Sequence, residues 1–198
     1  MSLAYGLRDH NIIAVVGGPG AGKKTQCAKI CSKLNYTYIN TGDLLRTELT
    51  KNSTRANEIR KLMDSNQLVP RDYIENIIMT TMIDAIQAGT KGFVMDGYPR
   101  DTAQAESFQK KFKAFKFVIF LDCSVSTLTK RLLAKGKASG RTDLTEEVVQ
   151  RRLRNFREIS MPFVETYKKK NICVAVNSEN PEDVVTSDIE KILTERLK

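Results

Sequence analysis

Short apolar runs recur along the chain, separated by longer stretches in which apolar residues are spaced three or four apart. Four of the runs are continuous: residues 12–16, 93–95, 117–121 and 172–176. A run without polar alternation is typical of a parallel strand that is buried on both faces. Residues 36–40, with the sequence YTYIN, are predicted as a fifth strand.

The stretches between the runs have helical periodicity. Residues 70–88 place Ile74, Ile78, Met82 and Ile86 at a spacing of four, which predicts one buried helical face. Strands that alternate with helices predict an α/β fold with a doubly wound parallel sheet.

Capping residues and prolines predict two helix starts and one kink. Residues 145–167 predict a helix with Thr145 as its N-cap and a kink at Pro162. The last helix is predicted to begin with Asn180 as its cap and Pro181 at its first position.

Ligands bind to such sheets at the carboxyl ends of the strands. Three loops with polar residues follow predicted strands directly: GGPGAGKKT (17–25), TGDLLR (41–46) and DGYPR (96–100). We name the first the phosphate loop and the last the arginine turn. Three candidate loops at one edge indicate a common site.

The phosphate loop nearly matches the pattern G-x-x-x-x-G-K-[ST], in which backbone N–H groups surround a phosphate. Gly17, Gly22 and Lys23 fit, and Lys23 could reach the outer phosphates. The last position carries Lys24 instead of a hydroxyl, and Thr25 comes one place late. The alternative interpretation is a tight turn without function.

Asp96 ends a buried strand, where an unpaired carboxylate is costly, so we expect a partner for it. One candidate is Mg²⁺ held through water; the other is the N-terminus of a helix that begins near Asp101. A group of arginines could bind phosphates if the fold brings them together, although each one alone could be a surface residue. They are Arg46, Arg100, Arg131, Arg141 and Arg152.

The 198 residues are 41% hydrophobic and 28% charged, with a formal net charge of +9. That charge suits a nucleic-acid binder, an anionic small substrate or a lysine-rich surface, and no zinc-finger or RNA-binding motif accompanies it. Neither a membrane span nor a secretory signal is predicted. The cysteines form no C-x-x-C pair, so no zinc site is predicted, and the simpler interpretation is reduced thiols in a cytosolic core. They are Cys27, Cys31, Cys123 and Cys173.

Six motifs in one order resemble the adenylate kinase family, in its short-lid form. They are GGPGAGKKTQ, TGDLLR, QLVP (67–70), DGYPR, TKRLLAKG (129–136) and SGRTD (139–143). The resemblance runs from about residue 11 to the last residue. It implies a P-loop kinase fold in one domain over residues 1–198, with a five-stranded parallel sheet and helices on both faces. It also implies a helical acceptor segment at about 40–69 and a short lid at about 136–144.

The activity implied is the reversible transfer ATP + AMP = 2 ADP with Mg²⁺. Phosphoryl transfer between two phosphates needs positioning and positive charge rather than a general base. The resemblance implies ATP, AMP and ADP as partners, no nucleic acid or membrane, and a cytoplasmic monomer. The lid has no cysteine, so no zinc is expected.

The resemblance also assigns residues. It places the ATP phosphates and adenine against Gly20, Ala21, Gly22, Lys23, Lys24, Thr25, Arg131 and Asn180. The transferring group is neutralised by Lys23, Arg100, Arg131, Arg141 and Arg152. AMP is bound by Thr41, Arg46, Met63, Val69, Gly97, Arg100, Gln104 and Arg152. No protein residue binds the metal directly; Asp96 holds Mg²⁺ through water.

Thr41 and Gln104 favour AMP over pyrimidine monophosphates, because Thr41 can cap its helix and face adenine and an amide can pair with the adenine edge. The family pattern has glycine at Lys24, arginine at Lys135 and aspartate at Leu144. Three alternatives stay open. Within the class the chain could be a UMP/CMP kinase. Outside it, the departures near the lid favour a nucleotide-binding regulatory module with reduced activity, and the net charge favours a basic nucleic-acid binder.

Overall fold

A computed structural model describes residues 6–51, 53–64, 69–139 and 145–198, except the side chains of 55, 63, 64 and 139. Its centre is a five-stranded sheet in the order β2-β3-β1-β4-β5, with every neighbouring pair parallel. The strands are β1 Asn11–Gly17, β2 Thr37–Asn40, β3 Gly92–Asp96, β4 Phe117–Asp122 and β5 Cys173–Asn177. All five predicted strands are therefore confirmed.

Helices connect the strands and cover the sheet. They are α1 Lys23–Leu34, α2 Thr41–Leu49, α3 Thr54–Asp64, α4 Arg71–Gln87, α5 Thr102–Lys111, α6 Val125–Ser139, α7 Glu146–Asn155, α8 Met161–Lys169 and α9 Glu182–Arg196. No helix of the described residues is long and apolar enough to cross a membrane.

The core has two halves, one on each face of the sheet. Along β1, Ile12 and Ala14 pack with residues of α4, α5 and α8, whereas Ile13 and Val15 pack with residues of α1, α6, α7 and α9. Successive side chains of a strand point to opposite faces, so a strand buried on both faces must be apolar at every position. This confirms the predicted α/β class with helices on both faces.

The order of the strands brings three loops together. The strand β1 lies between β3 and β4, and its register pairs Val15 with Asp96, while Asn40 of β2 also pairs with Asp96. The carboxyl ends of β1, β2 and β3 therefore meet at one edge. The phosphate loop, α2 and the arginine turn begin at that edge.

The predicted helix over 145–167 has an irregular turn directly before Pro162, where a kink was predicted. The segment 145–167 is divided: α7 ends at Asn155, a π-helical turn covers Phe156–Ser160, and α8 begins at Met161 with Pro162 in its first turn. A proline has no N–H for the preceding turn, so it begins a helix more readily than it continues one. The N-cap at Thr145 is confirmed, since its hydroxyl accepts a hydrogen bond from Val148 N.

The last helix begins one residue later than predicted. Its first residue is Glu182 and its cap position is Pro181, whose ψ of 149° is extended rather than helical. No side chain caps this helix, so Asn180 is not its N-cap.

The buried face of α4 should contribute most of that helix's stability. Met82 is fully buried, whereas Met79 on the same helix is 36% exposed. We expect Met82→Ala to lower the free energy of unfolding by about 2–5 kcal/mol, because the lost contacts leave a cavity. Urea unfolding of Met79→Ala provides the matched control, for which we expect a loss of about 0.5 kcal/mol or less. Equal losses for the two variants would contradict this packing.

Candidate active site

The phosphate loop has a backbone that only glycine adopts easily. Gly20 and Gly22 have φ angles of 90° and 87°, in the left-handed region. A Cβ atom on Gly20 would also come within 3.2 Å of Leu132 on α6. The loop is therefore held both by its own turn and by close contact with α6.

The Lys23 side chain folds back over the loop. Its Nζ donates to the carbonyl oxygens of Gly17, at 2.8 Å, and Gly18, at 3.0 Å. Burial lowers the pKa of this ammonium, and the nearby negative charge of Asp96 partly opposes that shift. Arg100 also acts on the pKa of Lys23, lowering it, so these three charged groups are electrostatic neighbours.

Asp96 is buried, with 4% of its surface exposed, and its partners come from β2. Its Oδ2 accepts hydrogen bonds from the Tyr38 hydroxyl at 2.7 Å and from Asn40 Nδ2 at 2.8 Å. It does not cap the next helix, so that alternative is wrong: Asp101 caps α5 itself by accepting from Gln104 N at 2.7 Å.

Tyr38 and Asn40 were missed by the sequence analysis. Burial, with the hydrogen bond to Asp96, raises the pKa of Tyr38 well above its usual value, so its hydroxyl remains a donor. The available signal was their spacing of two in a strand, which places both polar side chains on one face next to β3.

The start of α2 differs from the prediction, because its N-cap is Asn40 and not Thr41. Asn40 Oδ1 accepts from Asp43 N at 2.9 Å. Thr41 is buried, and its hydroxyl donates to the Gly97 carbonyl at 3.1 Å. Asn40 and Thr41 therefore connect α2 to Asp96 and Gly97 of the arginine turn.

Within the arginine turn, the backbone and side chain of Arg100 are both held. Arg100 Nε donates to the Gly97 carbonyl at 3.0 Å, and its backbone N donates to Gln104 Oε1 at 2.9 Å. The Tyr98–Pro99 peptide bond is cis, and Gly97 has a φ of 78°. Gln104 was predicted to contact a base. In the structure its side-chain oxygen accepts the hydrogen bond from Arg100 N.

A small charged group links the phosphate loop to α2. Arg46 donates to Asp43 Oδ1, and Lys24 Nζ lies 3.8 Å from Asp43 Oδ2. The hydrogen bond from Arg46, with the nearby charge of Lys24, holds the pKa of Asp43 below its usual value. The Lys24 side chain is 76% exposed and extends toward α2 rather than over the loop.

Arg131 approaches the site from the other side of the phosphate loop. It lies on α6 next to Leu132, which packs against Gly20. Its Nη1 donates to Cys123 Sγ at 3.9 Å, just beyond the end of β4. The guanidinium of Arg131 is therefore held at the carboxyl end of β4, the strand next to β1.

The remaining predicted site residues have different positions. Arg152 is partly buried in α7, next to the buried Leu153. Ala21 is buried in the phosphate loop, Thr25 is exposed on α1, Val69 is partly buried before α4, and Asn180 follows β5 at the same edge of the sheet. Arg141, Leu144 and the side chain of Met63 lie outside the described residues, as does most of the predicted lid.

An apolar recess lies between α2 and α4. It is lined by Thr41, Leu44, Leu45, Ile74, Ile77 and Ile78. Of these, only Thr41 was predicted as a site residue. Leu44 and Leu45 follow Thr41 in TGDLLR, where their pattern is typical of an ordinary helix face. The recess is shallow, and it has no space for a base as it stands.

The described residues contain no group of three or more His, Cys, Asp or Glu side chains that could hold a metal ion. The Asp96 carboxylate lies near Lys23 of the phosphate loop. Mg²⁺ keeps several waters and binds through one or two carboxylates plus phosphates, so this donor set fits a metal held by water and nucleotide.

Comparison with known proteins identifies the family. The family model for adenylate kinase matches residues 15–172. Adenylate kinase isoenzyme 1 of the pig, Sus scrofa, is 39% identical over 183 residues, which are 92% of this chain and 94% of that protein. The carp protein of the same name, from Cyprinus carpio, is 37% identical over 193 residues, 98% of this chain and 99% of its own. That of Caenorhabditis elegans is 39% identical over 91% of this chain and 88% of its own. The chain therefore belongs to the adenylate kinase family, whose members are nucleoside monophosphate kinases.

Proposed function

We propose that this enzyme catalyses ATP + AMP = 2 ADP with Mg²⁺, with AMP as its preferred acceptor. One observation carries the proposal. The phosphate loop, with Lys23, meets the arginine turn, with Arg100, beside the helix α2, which carries Arg46. A triphosphate and a monophosphate could then face each other between these cations. Phosphoryl transfer depends on such positioning and on neutralising charge.

The reaction needs no general base, since the accepting phosphate oxygen is already ionised. The only histidine of the chain supports this, because His10 precedes β1 at the opposite edge of the sheet. Its Nε2 lies 3.1 Å from the Thr90 carbonyl. The phosphate loop, with Arg131, would hold ATP, and Asn180 would contact its adenine. Lys23 would exchange its two loop carbonyls for phosphate oxygens.

The acceptor side would use Arg46 and Arg100 for the phosphate of AMP. Thr41 and Gln104 would face its base, together with Met63, Val69 and Gly97. Arg152 and Arg141 would approach the transferring group from α7 and the lid. Bound Mg²⁺, held through water by Asp96, would neutralise phosphate charge.

We further propose that the acceptor segment 40–69 and the lid 136–144 close over the nucleotides, because a phosphoryl acceptor site must exclude water. We propose that the protein is a monomer, in which both segments can move. We propose a cytoplasmic location because the four free cysteines suit a reducing compartment.

Lys23 offers the most direct test of the proposed mechanism. We expect Lys23→Met to lower kcat at least about a hundredfold, because its charge matters most where the transferring phosphoryl group develops charge. Lys33→Met is the control on the same helix, since Lys33 pairs with Glu190 on the surface, and it should leave kcat within about twofold. Coupled assays with ATP and AMP measure both variants. A folded Lys23→Met variant with normal turnover would remove Lys23 from the mechanism.

Acceptor choice tests the finer part of the proposal. With AMP, CMP and UMP as acceptors, we expect kcat/KM for AMP to exceed the others at least about tenfold, because a wrong base leaves buried polar groups unpaired. Gln104→Ala should narrow that ratio, and it should also lower the rate with AMP, since its side chain holds Arg100 N. Gln109→Ala on the same helix is the control. A higher kcat/KM with CMP or UMP would replace this proposal by a pyrimidine monophosphate kinase.

Lys24 should act on the acceptor and not on ATP, because its ammonium lies beside Asp43 and Arg46. We expect Lys24→Gly to raise the KM for AMP by no more than about fivefold, with the KM for ATP unchanged. The change in the KM for AMP should decrease at high salt, because the side chains of Lys24 and Asp43 are both exposed. Lys24→Met separates the charge from the length of the side chain. A change confined to the KM for ATP would show that Lys24 serves the triphosphate instead.

A further inference from the structure

Glu75 is a buried acid that the proposed mechanism does not use. It lies on α4 with 2% of its surface exposed, among the apolar residues that pack on the sheet. A buried carboxylate is costly unless it is paired and hydrogen-bonded. Its partners therefore show what it holds.

Two other parts of the chain meet at this carboxylate. The Tyr98 hydroxyl donates to Glu75 Oε1 at 2.9 Å, and Lys111 Nζ lies 2.5 Å from Oε2. Tyr98 belongs to the arginine turn, and Lys111 is the last residue of α5, where it also pairs with Asp72. The carboxylate thus joins α4 to both ends of the segment from the turn through α5.

The charge of Glu75 is maintained by these partners. Burial alone would raise its pKa, but the ion pair with Lys111 and the hydrogen bond from Tyr98 favour the charged form, and its pKa lies below the usual value. An ionised acceptor forms a shorter and stronger hydrogen bond with a hydroxyl than a neutral one does. Tyr98 is therefore held by a charged group.

Tyr98 lies two residues before Arg100 and one residue after Gly97, whose carbonyl accepts from Arg100 Nε. Its ring is buried against Phe108, with ring centroids 5.8 Å apart. Its hydroxyl also lies 3.4 Å from the backbone carbonyl of Gln104, whose side chain accepts from Arg100 N. Holding Tyr98 consequently holds both groups that orient Arg100.

Stability alone does not account for this arrangement. Apolar residues at position 75 and at its partner positions together would fill the same space, and replacing a whole buried polar pair in this way is often neutral or stabilising, although removing one partner alone is not. The helix α4 also begins directly after the acceptor segment, at Arg71. A carboxylate here joins the first turns of α4 to the turn that carries Arg100.

We propose that Glu75 is a positioning residue for phosphoryl transfer: through Tyr98 it fixes the arginine turn against α4 and so holds Arg100 in the active site. It touches no substrate itself. The inference rests on the proposed function, in which Arg100 binds the acceptor phosphate and the transferring group.

Tyr98→Phe and Glu75→Gln test the proposal. Tyr98→Phe keeps the buried ring and removes only the hydroxyl, so it should fold. We expect each variant to lower kcat about tenfold, because a small displacement of a positioning group is costly to the rate, while the KM for ATP stays within twofold. Tyr167→Phe is the control, since it removes an equally buried hydroxyl, bonded to Gln109 far from the turn, and should keep the wild-type kcat.

A second comparison separates positioning from general stability. In an Arg100→Ala background, Tyr98→Phe should lower kcat less than twofold further, because the group that it positions is absent. Wild-type rates with AMP, CMP and UMP are measured first; they decide the proposed function, and the best acceptor is then used for the variants. Wild-type kcat in Tyr98→Phe and Glu75→Gln, or the same tenfold loss in the Arg100→Ala background, would overturn the role of Glu75.

Discussion

A negative charge buried at the carboxyl end of β3 organises the site. The Asp96 carboxylate cannot remain there without donors, and it receives them from Tyr38 and Asn40 of the neighbouring strand. Asn40 also caps α2 by accepting a hydrogen bond from Asp43 N, so the same side chain determines where α2 begins. The position of α2 relative to the phosphate loop thus follows from satisfying one buried acid.

The cations of the site are held by partners that a phosphate can replace. Lys23 donates to two backbone carbonyls, Arg100 donates to a third, and Arg131 donates to a thiol. Neutral carbonyl and sulfur acceptors bind a cation less strongly than an anionic phosphate oxygen does. Each side chain is therefore preoriented in the described structure without a strong ion pair that a nucleotide would have to break. Arg46 is the exception among these cations, because its partner is the carboxylate of Asp43.

The sequence predicted the central strands β1, β3 and β4 well, because burial on both faces leaves a clear pattern, a run of three to five apolar residues without a break. It also placed Lys23, Arg46 and Arg100 at one edge, since parallel strands end together. It missed Tyr38, Asn40 and Glu75, because the value of a polar residue in an apolar element depends on which side chain faces it. That neighbour lies 58, 56 and 23 residues away in the chain, respectively. The prediction that Thr41 caps α2 failed for the same reason. Which of two adjacent polar residues caps a helix depends on their distant partners, and the Thr41 hydroxyl bonds to the Gly97 carbonyl while Asn40 accepts from Asp43 N.

The unusual Lys24 follows from the geometry of α1. The helix begins at Lys23, whose side chain turns back onto the Gly17 and Gly18 carbonyls. Successive side chains of an α-helix are about 100° apart around its axis, so the next residue must leave the loop. On this helix that direction leads toward α2 and Asp43. A glycine at this position would leave the space between the phosphate loop and α2 to water, whereas a lysine places a positive charge there. The charge at position 24 then acts on both the phosphate loop and α2. It lies where we propose that the acceptor phosphate binds.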